Sequence, residues 1–173
     1  MNLYEKCPTV ETESFTIRLI EQSDSKDLYQ CYHDESAVAF MNDDNCDFGF
    51  YTESEEKMAE TIGYWIDFYK KGYFIRFSIV DHKSGTVIGT IEGFGGETGV
   101  LRMDLASTYE TTFNILQILD FAKQNFKAYF GNDTLVTKAI PSAIERRKAL
   151  EESGWKFIGK FRDYTDYYQI ALN

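Results

Sequence analysis

Proline and histidine are scarce in this 173-residue sequence, with two of each: Pro8 and Pro141, His33 and His82. So few prolines leave long stretches free for regular structure. Two isolated histidines provide no pair for a metal site, and no metal is expected. The three cysteines are Cys7, Cys31 and Cys46. An odd number without paired spacing makes neither a disulfide framework nor a zinc motif. They read as reduced thiols of a cytoplasmic protein. No apolar run approaches membrane-spanning length, and no signal-peptide core opens the chain. Repeats, low-complexity tracts and linkers are absent too, so a single domain over 1–173 is expected.

Positive charge is also in short supply. Lys and Arg total 18 against 28 Asp and Glu, a net charge of -10. Such a chain repels a polyanion, which argues against nucleic-acid binding. It would attract an amine or a basic peptide, or simply have an acidic solvated surface. Aromatics are abundant at 16%, and hydrophobic residues reach 43%. That composition describes a globular core rather than a disordered chain.

Periodicity supplies the elements. Residues 12–20 alternate, with Phe15, Ile17 and Leu19 on one face of a strand. Ser23 and Asp24 offer caps to a short helix through Leu28, Tyr29 and Tyr32. Residues 41–47 hold turn formers and no periodic pattern. A second helix spans about 54–71, with Gly72 past its end. Strands follow at 74–81, 86–94 and 100–105, joined by short turns as an antiparallel meander. A third helix is expected over 108–129, closed by Gly131. Residues 134–140 form a strand, placed parallel to the one before that helix. A fourth helix opens at Pro141 and Ser142 and stops at Gly154. Two strands then alternate, through Trp155–Phe161 and through Tyr168, Ile170 and Leu172. The order is β-α-α-β-β-β-α-β-α-β-β. It predicts an α/β fold: a mixed, mostly antiparallel sheet of about seven strands with helices on both faces.

That order, with several local segments, resembles the GNAT acetyltransferase superfamily. The nearest branch is the enzymes that acetylate ribosomal-protein N-termini, the alanine-specific ones among them. The segments are 11–20 followed by Asp27-Leu28-Tyr29, then Val87-Ile88-Gly89-Thr90-Ile91, Asp104-Leu105-Ala106, and 141–155 ending in Gly154-Trp155. The resemblance implies acetyl-CoA lying where the fourth and fifth strands splay apart. Main chain around Met103, Asp104, Leu105 and Ala106 would hold the thioester and pantetheine. Amides and hydroxyls of Ser107, Thr108, Tyr109, Thr111, Thr112 and Phe113 would hold phosphate at the helix start. The acceptor would be a small-molecule amine or a peptide N-terminus, and the protein a monomer or homodimer.

The family's glycine-rich phosphate loop has no counterpart here. No glycine occurs between Ala106 and Phe130, and the loop is shorter than the family's. Glu110 places a carboxylate near the expected diphosphate. Losing two or three hydrogen bonds to a charged group, at about 1.5–3 kcal/mol each, would cost roughly 3–9 kcal/mol. A micromolar site would weaken to roughly millimolar or worse. Beyond Pro141, Ala143 replaces a common Asn, Arg146 a small residue, and Leu150 a Tyr that acts as general acid. Two readings stay open: an N-acyltransferase acting on an amine, or a catalytically inactive GNAT-fold protein whose cleft binds another ligand or a protein.

Glu92, set between apolar neighbours, is the candidate general base, or a charge on a solvent-facing strand edge. His82 reads as a solvated turn residue and His33 as a helix-end cation. Asp43, Asp44 and Asp47 loosely resemble a calcium loop without its glycine and glutamate spacing, and read as a flexible polar loop. Arg146, Arg147 and Lys148 are expected to pair with Glu145, Glu151 and Glu152 along their own helix. Tyr164, Tyr167 and Tyr168 fit either strand propensity or an acceptor-site wall.

Overall fold

A computed structural model describes residues 3–173. Alternation produces strands at the expected places, and one short strand precedes the first of them. They are β1 (Val10–Glu11), β2 (Phe15–Leu19), β3 (Ile75–Asp81), β4 (Val87–Gly93), β5 (Gly99–Val100), β6 (Arg102–Leu105), β7 (Thr134–Lys138), β8 (Lys156–Phe161) and β9 (Tyr164–Ala171). The helices are α1 (Ser25–Tyr32), α2 (Glu35–Val38), α3 (Glu55–Lys70), α4 (Thr112–Phe130) and α5 (Ile144–Glu152). The short α2 falls where no element was expected. Asp34 caps it by accepting from the Ser36 amide.

Two expectations need correction. The strand over 100–105 breaks at Leu101 into β5 and β6, because its two halves serve different neighbours. β6 ends a five-stranded antiparallel sheet, β1-β2-β3-β4-β6, while β5 opens a second sheet, β5-β7-β9-β8. The third helix starts at Thr112 rather than Thr108, since Ser107–Tyr109 forms a 3-10 turn. Thr111 caps the helix by accepting from the Asn114 amide, and Gly131 ends it at φ 73°.

The five-stranded sheet is covered on both faces. Phe15, Ile17, Phe77, Ile79, Met103 and Leu105 pack against Ile115, Ile118, Leu119 and Phe126 of α4, with Ala149 and Leu150 of α5 alongside. The five large buried residues of α4 (Ile115, Ile118, Leu119, Phe121, Phe126) contribute roughly 8–15 kcal/mol of burial before ordering costs. On the opposite face Leu28, Tyr32, Met58, Ile62 and Trp65 of α1 and α3 form a second cluster with Met41 and Val87. Among the described residues, no helix is long and apolar enough to cross a membrane.

Candidate functional site: a wedge between two strands

β5 pairs parallel with β7 through Gly99–Leu135 and Val100–Val136. One more bond follows, from the Leu101 amide to the Val136 carbonyl at 2.9 Å. Thr137 Oγ1 then donates to the Leu101 carbonyl at 2.8 Å. Beyond this point the chains part. β6 turns to β4, with Gly89 opposite Leu105 and Glu92 opposite Arg102. Its other edge carries no strand and faces the gap toward β7. The parallel neighbours are zipped at one end and open at the other, with the start of α4 at the open end.

That open end is filled by the chain itself. The Glu145 carboxylate accepts from the Thr112 amide at 2.9 Å and from its hydroxyl at 2.5 Å. Those two bonds hold the exposed Glu145 carboxyl below its ordinary pKa, the hydroxyl being the larger cause. A carboxylate at a helix start takes the place an anionic ligand would use. Beside it Arg146 grips Glu110 through Nε at 2.7 Å and Nη2 at 2.8 Å. Their side chains are 2% and 7% exposed. Arg146 Nη1 also donates to the Phe40 carbonyl at 2.9 Å. Since α5 lies on the α4 face and Phe40 follows α2 on the other, this guanidinium spans the mouth of the wedge.

Residues 40–44 continue along the seam. Arg102 and Lys138 are the first residues past the split on their two strands, and both reach Asp44. Arg102 Nη2 donates to its carbonyl at 2.7 Å, and Lys138 Nζ to its carboxylate at 2.6 Å. Tyr167 Oη donates to the second carboxylate oxygen at 3.0 Å and accepts from Asn42 Nδ2 at 3.2 Å. Burial pushes the Tyr167 hydroxyl up to about 12, so it remains a donor.

The residues expected to hold a co-substrate separate into groups. Met103 and Leu105 point into the core. Asp104 is fully buried and accepts from Tyr32 at 2.6 Å and from Arg76 at 2.7 Å. The Ala106 amide bonds the Ile88 carbonyl, and Ser107 Oγ donates to Asp34 at 2.5 Å. Tyr109 turns away to Asp81, at 3.2 Å. Thr108, Thr111 and Phe113 are exposed. Tyr109, Thr111 and Phe113 instead help line a cavity of about 650 Å³ with Glu13, Asp81 and His82. That cavity lies beside the wedge, since neither β6 nor Arg146 lines it.

Glu92 is buried, at 4% exposed. Arg76 and Arg102 both donate to its carboxylate. Burial alone would raise its pKa, but the two guanidiniums outweigh burial and hold the carboxyl below its ordinary value. A carboxylate so paired is a poor proton acceptor. Arg76 also stacks over Trp65 at 4.1 Å. Glu92 therefore serves as the anion of a buried network.

Other expectations change as well. Arg146 reaches Glu110 rather than its own helix, and Arg147 donates to Tyr168 Oη at 2.8 Å. Only Lys148 faces Glu152, at 4.0 Å. Asp44 belongs to a strap rather than a flexible loop, and no metal-binding cluster occurs among the described residues. His33 ends α1 as expected, its Nδ1 2.8 Å from the Thr52 carbonyl and its ring tilted between Tyr29 and Tyr51. His82 is exposed in its turn as expected, and there bridges Glu11 and Thr16. The Arg146–Glu110 pair escaped sequence reading because 36 residues separate the partners.

No family model matches the chain, and no curated protein does. Solved structures do. The ribosomal-protein-S5-alanine acetyltransferase from Vibrio fischeri superposes with a TM-score of 0.66 at 18% identity, over 96% of this chain and 97% of that one. A GNAT-family acetyltransferase from Bacillus anthracis matches at 0.68 and 17%, over 95% and 98%. An N-acetyltransferase of ribosomal protein L7/L12, solved with coenzyme A, matches at 0.70 and 12%, over 95% and 98%. The chain has the GNAT fold.

Proposed function

We propose that this GNAT-fold chain does not use acetyl-CoA, and that it keeps the wedge for binding a different ligand. The observation that carries this reading is Arg146, bound to Glu110 and to the Phe40 carbonyl across the mouth of the wedge. Acetyl-CoA needs an open gap for pantetheine and free amides for its diphosphate. Here the Thr112 amide belongs to Glu145, and the Asn114 amide to Thr111. Two carboxylates, Glu110 and Glu145, stand where two phosphates would have to approach. Like charge at the helix start disfavours a diphosphate there. The residues present do not fit the co-substrate. Leu150, fully buried in the core, has no proton for a leaving thiolate.

A second reading is acyl transfer from acetyl-CoA to an amine or a peptide N-terminus. The open edge of β6 favours it, because the fold's strand splay is intact. It requires Arg146 and Glu145 to move aside. Isothermal titration of acetyl-CoA, with thiol release assayed over a panel of amines and peptides, separates the two. We expect no binding up to millimolar acetyl-CoA and no turnover. Saturable binding with acetylated product would overturn the first reading and establish the second.

A further inference from the structure

We propose that the mouth of the wedge recognises an aspartate-bearing peptide segment, and that residues 40–45 of the chain occupy that site as an internal stand-in. The inference rests on the reading that the wedge is kept for a ligand other than acetyl-CoA.

The contacts are those of a receptor with a peptide. Five bonds join residues 40–44 to side chains on other elements. Two of them read main-chain carbonyls: Arg146 at Phe40 and Arg102 at Asp44. Two read the Asp44 carboxylate: Lys138 and Tyr167. The fifth joins the Asn42 amide to Tyr167 Oη. Lysine and a phenol on one carboxylate, with guanidiniums on two main-chain carbonyls, select an acidic side chain on a turn-forming segment. A lone small acid would use only half of this set. The split strands supply the receptor groups, for Arg102 and Lys138 are the first residue of β6 and the last of β7.

The stand-in is anchored at its start, where Phe40 and Met41 bond the Ala37 and Val38 carbonyls and Met41 and Asn42 are buried, and it loosens beyond Asp44. Among the described residues, the turn bond from Cys46 to Asp43 is the only main-chain bond within 42–51, and the next anchor is Thr52 to Tyr32. Asn45 takes a left-handed φ of 62°. Asn45, Cys46 and Asp47 are exposed, and Phe48 is 85% exposed. The part beyond Asp44, with few contacts and few ladder bonds, opens locally at low cost and gives the strap a loose end. The whole chain carries a net charge of -10, whereas the seam gathers three cations, Arg102, Lys138 and Arg146. At about 0.15 M salt the Debye length is roughly 8 Å, so the local field governs docking.

The test uses full-length protein and the blocked peptide Phe-Met-Asn-Asp-Asp-Asn, copying residues 40–45. Its control carries Asn in place of the Asp that copies Asp44. In the wild type the tethered strap competes at an effective concentration of the millimolar order. Asp44→Asn should loosen the strap and tighten peptide binding at least about 10-fold. The control peptide should bind at least about 10-fold more weakly, and adding Lys138→Met should erase the gain. In the wild type, millimolar peptide should speed hydrogen exchange at the Asp44 and Cys46 amides, which a permanent structural strap would not allow. Equal binding of both peptides, or no binding by Asp44→Asn together with unchanged exchange in the wild type, overturns the inference. Acetyl-CoA titrated into the same proteins keeps the premise separate. Failure of the peptide with no acetyl-CoA binding sinks this inference alone, while acetyl-CoA binding sinks the premise.

Discussion

Arg76, Glu92 and Arg102 stand side by side on three adjacent strands, Arg76 opposite Glu92 and Glu92 opposite Arg102. Removing the central carboxylate leaves Arg76 with Asp104 alone as a carboxylate partner and the part-buried Arg102 with none. Glu92→Gln should cost about 3–5 kcal/mol, measured by urea unfolding. Glu145→Gln, at an exposed latch, should leave the urea midpoint where it is. Glu92 also sets a pH dependence. Its carboxyl titrates lower when folded than when unfolded. Its stabilisation is therefore complete above the unfolded value of about 4.3 and is lost as pH falls through the folded value. The urea midpoint should hold from pH 7 to about pH 4.5 and fall as pH is taken below about 4 in the wild type. The drop should be smaller in Glu92→Gln. The sequence marked Glu92 as an unusual carboxylate, but its role was hidden. Pairing 74–81 against 86–94 would have placed Arg76 opposite it, and that register was the available signal. No local pattern joins Arg146 to Glu110 or Lys138 to Asp44, since those pairs form only after distant elements dock.

At the scale of elements, the alternating strands and the stripe on α4 were legible because burial follows period. The break at Leu101 was not. Residues 100–105 read as one continuous strand, and only the two competing neighbours divide it. The 3-10 turn before α4 was likewise masked by residues that suit a helix equally well. Gly89 reports on the β4–β6 side of the wedge. A Cβ there would lie 2.1 Å from the Asp104 carbonyl oxygen, which is main chain and cannot step aside. Gly89→Ala should force β6 off β4 and cost at least about 2 kcal/mol in a thermal or urea melt. A neutral outcome would contradict the close approach that holds β6 away from β7.

On the scale of the whole molecule, the strands keep the splay that defines the fold, while side chains from α5 and from the 40–44 strap fill the opening. Fold and chemistry therefore part company, as they do across many shared architectures. The order of elements was readable. What lies against the start of α4 needed coordinates. The most direct test is a titration of acetyl-CoA into isotope-labelled protein, followed through the amide signals of residues 106–114 and the Arg146 Nε signal. A wedge filled from within predicts that these signals stay in place up to millimolar acetyl-CoA. Saturable shifts centred on Thr112 and Arg146 would show the phosphates displacing Glu145 and Glu110, and would contradict the account.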